Sequence, residues 1–85
     1  MTVIKLTRNE YNAMSRVGGD WDGIESLSES FRGEGYRLFV KNKLKCIKTI
    51  KKAIAKNPTR IITSKRGGWE IDIAEGWKSV IKKIK

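Results

Sequence analysis

The segment that most constrains the fold is residues 41–60, KNKLKCIKTIKKAIAKNPTR. Asn42 is a helix-capping residue, and Asn57-Pro58 stops a helix because proline lacks an amide hydrogen and crowds the preceding turn. Between these ends Leu44, Cys46, Ile47, Ile50, Ala53 and Ile54 recur at helical spacing. Residues 43–56 are therefore expected to be helical, with that half turned to a core. Stepped at about 100° per residue, Lys41, Lys45, Lys48, Lys52 and Lys56 gather in a narrow stripe opposite the apolar half. Lys43 and Lys51 fall within the apolar half and would reach out along their stems. Cys46 falls there too and is expected to be an inert core thiol.

The stripe runs about 22 Å at 1.5 Å rise per residue. Its lysines are three or four residues apart, so each neighbours the next, and like charges at that spacing destabilise a helix by a few tenths of a kcal/mol per pair. No glutamate is interleaved to relieve them. The whole chain has 85 residues and a net charge of +10, and the excess is concentrated. Residues 1–34 carry four basic and six acidic side chains, residues 35–68 eleven basic and none acidic, and residues 69–85 four basic and three acidic. Such asymmetry points to an anionic partner or to a scaffold with one working face.

The flanking sequence supplies a sheet. TVIKL, residues 2–6, reads as a short strand, and Thr7 with Glu10 forms a capping-box signature for a helix reaching about Val17. Gly18-Gly19 ends that helix. Residues 24–32 admit two readings. As a helix, Trp21, Ile24, Leu27 and Phe31 line up; as a strand, Leu27, Glu29 and Phe31 share a side and Gly33-Glu34-Gly35 turns a hairpin into the clear strand YRLFVK. The glycine turn favours the strand. After the lysine helix, TRIITS and WEIDI form a hairpin expected to turn near Arg66-Gly67. AEGWKSVIKKIK closes the chain as a helix with Trp77, Val80, Ile81 and Ile84 in one stripe.

The expected order is β-α-(β)-β-α-β-β-α. It describes one α+β domain over residues 1–85, a small, mostly antiparallel sheet covered by two to three helices. With the doubtful segment as a strand, the first six elements admit the ferredoxin-like split order. The helix, the basic-tipped hairpin and the closing helix also resemble the back half of a winged helix, although no short turn joins two helices ahead of them.

Several function classes lose their chemistry at once. Histidine is absent, which removes the commonest general base and metal ligand. A single cysteine forms no internal disulfide, and the start, MTVIKLTRNEY, has no apolar stretch of the signal-peptide kind, so a reducing cytoplasm is expected. Asp20, Asp22 and Glu25 in GGDWDGIE fall short of a calcium loop and read as caps and a polar turn, and no G-K-[ST] follows to make a phosphate loop. No catalytic residue, metal or cofactor is expected. The apolar half of the lysine helix lacks Trp or Phe and is needed for the core, so a membrane surface is not expected either.

Two binding readings remain, beside the plain one of a solvated lysine face. In the first, Lys41, Lys45, Lys48, Lys52 and Lys56, extended by Arg60, Lys65 and Arg66, engage the phosphate backbone of DNA or RNA. Lysine, unlike the planar guanidinium of arginine, suits backbone contact rather than base readout. In the second, the same basic face of a compact inhibitor or adaptor, such as a phage-type anti-host factor, docks on an acidic or nucleic-acid-binding surface of a larger protein. The aromatic residues are expected mostly in the core, with Tyr36 or Phe39 as the candidates for exposure beside the lysines.

Overall fold

The structure, a computed structural model, describes residues 1–19, 21–29, 35–58, 61–64, 67 and 69–85, without the side chains of Ile62, Ser64, Trp69 and Ile71. Among the described residues, five strands and three helices follow in order as β1 (Thr2–Leu6), α1 (Arg8–Met14), β2 (Ile24–Glu29), β3 (Tyr36–Val40), α2 (Lys43–Lys56), β4 (Ile61–Ser64), β5 (Trp69–Asp72) and α3 (Ile73–Ile84). The doubtful segment is thus a strand over Ile24–Glu29, while residues 30–32 and Gly33-Glu34 of the expected turn lie outside the described residues. The strands form two sheets, β1-β3-β2 and the hairpin β4-β5, and every pairing is antiparallel. β4 pairs with β5 and not with β1, so the larger sheet holds three strands. No helix among the described residues is long and apolar enough to cross a membrane.

β3 is the central strand because it is the most apolar. Leu38 and Val40 are buried on one face, opposite Ile4, Leu6, Ile24 and Leu27 of its neighbours, and this face meets the helices. Val3, Lys5, Arg37 and Phe39 alternate onto the other face. Tyr36 is half-buried and stacks on Tyr11 at 4.4 Å between ring centroids.

α1 and α3 pack closely, and sequence chemistry shows why. The capping box is present: the Glu10 amide donates to Thr7 Oγ1, and the Thr7 amide donates to Glu10 Oε1 at 2.7 Å. Glu10 is itself buried, and it accepts from Ser79 Oγ at 2.7 Å and pairs with Lys83 Nζ at 2.6 Å. Burial would raise its pKa, but the Lys83 ammonium, the Thr7 amide and the Ser79 hydroxyl outweigh that and hold it below its ordinary value. Trp77 is fully buried, and its indole N–H donates to the Ala13 carbonyl at 2.6 Å. Gly76 allows the close approach, because a Cβ there would come within 2.7 Å of the Ala13 Cβ.

Two boundaries differ from the sequence expectation. α1 ends at Met14, with Ser15 as its C-cap, and Val17 is buried beyond the helix end. Ile73 opens α3 instead of closing β5, because Asp72 caps the helix through Ala74 N at 3.0 Å and turns the chain one residue earlier.

Candidate functional site

α2 forms where its caps and spacing place it. Asn42 Oδ1 accepts from the Lys45 amide at 3.0 Å, and the helix ends at Lys56 ahead of Asn57 and Pro58. Its roll differs from the sequence expectation. Cys46, Thr49, Ile50 and Ala53 are buried, Ile47 and Ile54 are half-buried, and Leu44 is 76% exposed. Lys43 and Lys51 are exposed. The reason is a polar anchor: Thr49 Oγ1 donates to the Asp22 carbonyl at 2.8 Å, with the Lys45 carbonyl at 3.0 Å as the alternative acceptor. The hydroxyl is satisfied inside, so the helix buries Thr49 and releases Leu44. Burial has also pushed the Cys46 thiol up to about 11.

This roll moves the lysine stripe. Lys41, Lys45, Lys48, Lys52 and Lys56 are all exposed, but the four within α2 lie about 105° round the helix from the centre of its buried face and not opposite it, and Lys41 precedes the Asn42 cap. They therefore stand on a flank, beside the segment joining α1 to β2. Gly23 fixes that segment against the start of α2. Its carbonyl accepts from the Lys41 amide at 2.8 Å and the Asn42 amide at 3.1 Å. Its φ is +83°, and a Cβ there would meet the Cys46 amide, the Asn42 carbonyl oxygen and the Lys45 side chain.

Between the two walls runs a groove made of three adjoining hollows. The largest, about 590 Å³, is lined by Gly18, Gly19, Trp21, Asp22, Lys45, Lys48, Thr49, Lys52 and Lys56. Trp21, Asp22 and Lys45 continue into a hollow of about 450 Å³ that reaches Lys41 and Glu25. Gly18, Gly19, Lys52 and Lys56 continue at the other end into one of about 210 Å³ that takes in Arg16. All five stripe lysines thus line one groove, together with Arg16.

Among the described residues, six basic side chains in the groove meet two acidic ones, Asp22 and Glu25. Among the described residues, the ion pairs are Lys83–Glu10 and Lys78–Glu75, so none of the stripe lysines closes one. The first turn of α2 carries no acidic residue and two lysines, against the preference of the positive helix end.

Arg60, Lys65 and Arg66 lie outside the described residues, as do Asp20 and Phe31. β4 and β5 pair as far as Ser64 and Trp69, and the turn expected near Arg66-Gly67 lies, but for Gly67, outside the described residues. Neither aromatic expected beside the lysines is in the groove: Tyr36 stacks on Tyr11, and Phe39 is on the sheet face away from the helices. The groove aromatic is Trp21. In sequence Trp21 counts only among the aromatics expected mostly in the core, and Thr49 sits between lysines without any signal that it would dock on the GGDWDG turn. Among the described residues no group of three Cys, Asp or Glu side chains is placed to hold a metal. No protein-family model, curated protein or solved structure matches the chain.

Proposed function

We propose that the chain is a small, non-catalytic binding module that holds the phosphate backbone of a nucleic acid along the lysine flank of α2. The observation that carries this reading is the row of exposed lysines, unpaired among the described residues, that lines a single groove. Like charges on adjacent turns and Lys45 at the positive helix end oppose the helix, and of the row only Lys56, in the last turn, is favoured by the helix dipole. A polyanion in the groove would relieve both. Arg60, Lys65 and Arg66 follow α2 in sequence and extend the same basic run.

On the fold, we take β1-β3-β2 as the split half of a ferredoxin-like order whose next strand is withdrawn into the β4-β5 hairpin. That likeness assigns no function by itself.

The direct test is retention on immobilised random-sequence nucleic acid and on heparin, comparing wild type with the variant carrying Lys45→Gln, Lys48→Gln and Lys52→Gln. Wild type should be retained on both and the triple variant should elute at lower salt from both. Failure of wild type to bind either column at physiological salt would remove this reading, and a protein inhibitor docking on an acidic surface would take its place.

A further inference from the structure

The groove holds an aromatic ring where phosphate binding alone would need none. Trp21 lines both larger hollows together with Lys45, so a ring and an ammonium share the middle of the groove. The indole is half-buried and packs against the core. Its only polar atom is turned inward, donating to the Val17 carbonyl at 2.8 Å. This bond holds the ring in place and leaves apolar aromatic surface to the groove.

Resting on the phosphate-binding reading above, we propose that the occupant is single-stranded nucleic acid, with one base stacked on Trp21 and the adjoining phosphates on Lys41, Lys45 and Lys48. A duplex presents phosphates and base edges, while the faces of its bases are closed by their neighbours. An aromatic ring can stack only on a base that has left the stack. The geometry of α2 points the same way. A helix that enters the major groove of a duplex needs a free face, and the lysine flank has Gly18, Gly19, Trp21 and Asp22 standing beside it. Stacking is indifferent to base identity, which suits a surface of lysines without bidentate base readers.

The experiment compares binding of an oligothymidine of about 12 nucleotides with that of a blunt duplex of the same length at one ionic strength. Wild type should bind the single strand more tightly. Trp21→Leu should weaken single-strand binding by about 5- to 150-fold, the range expected for one lost base stack, and leave duplex binding nearly unchanged. Trp21→Phe keeps a ring and should stay close to wild type in affinity. The single strand should also quench tryptophan emission in wild type, and that quench should largely vanish in Trp21→Phe, which decides the matter even if Trp21→Leu fails to fold. Equal or tighter duplex binding, an unaffected Trp21→Leu, or a quench retained in Trp21→Phe overturns the single-strand inference and leaves the basic groove standing. Single-strand binding unchanged by Lys45→Gln, Lys48→Gln and Lys52→Gln overturns the groove itself.

Discussion

Lys83 and Lys48 are the same residue type on two helices of one small domain, and they are treated in opposite ways. On the α1–α3 side, Lys83 reaches a buried carboxylate at 2.6 Å, and Glu10 is shared with Ser79 and the Thr7 amide. That interface satisfies its polar groups, and among the described residues no buried side-chain nitrogen or oxygen lacks a hydrogen-bond partner. On the α2 flank, five lysines stand exposed, with no partner within ion-pair distance among the described residues. The contrast separates what the fold requires from what it merely carries. Charge that stabilises the domain is paired and partly buried, and charge that opposes it is gathered in one groove.

The comparison breaks first at Trp77. Trp77→Ala removes the largest fully buried side chain among the described residues and takes from the Ala13 carbonyl one of its two donors, leaving it the Arg16 amide. It should cost about 3–5 kcal/mol, much of the stability of so small a domain, as read from urea unfolding. Gly76→Ala comes next. Alanine favours a helix interior by about 1 kcal/mol over glycine, but its methyl would meet Ala13 at 2.7 Å and force α1 and α3 apart. A net loss of about 1–3 kcal/mol is expected, and a stabilised variant would show that the two helices are not in close contact.

Lys83→Ala sharpens the electrostatic half of the contrast. It deprives a buried carboxylate of its ammonium and should cost about 1–3 kcal/mol near neutral pH. The Glu10 pKa is held below its ordinary value of 4.5, so the contribution is present above that pH and is lost as pH falls through the lower folded value. The stability gap between wild type and Lys83→Ala should therefore close in acid, as pH falls below 4.5 and through the lower folded value. A gap that is constant with pH would mean that Lys83 contributes packing and not charge. The smallest effect belongs to the groove. Lys45→Gln, Lys48→Gln and Lys52→Gln together should leave thermal stability unchanged or raise it by a few tenths of a kcal/mol for each relieved lysine pair.

Local signals accounted for most of the fold. The capping box at Thr7 and Glu10, the Asn42 cap with its Asn57-Pro58 stop, and the aromatic, β-branched YRLFV each contain their own physics within a few residues. What escaped was long-range. The Thr49–Asp22 hydrogen bond spans 27 residues and the Glu10–Lys83 contact 73, and neither leaves a mark on local periodicity. The first of these sets the roll of α2, which is why Leu44 was expected inside and the lysines opposite the core. The five lysines themselves were legible, because charge and spacing are written in sequence. The opposing wall was not, since Trp21 and the glycines around it become a groove only once Gly23 is seated on α2.

The salt dependence of nucleic-acid binding, measured for wild type and for the triple glutamine variant, tests the proposed role of that groove most directly. For single strands each phosphate neutralised adds about 0.7 to the slope of log affinity against log salt. Wild type should weaken steeply with salt, and the variant should bind more weakly with a slope lower by about 2 for its three lost contacts. Equal affinity and equal slope for the two proteins would contradict a phosphate-binding role for the α2 lysines.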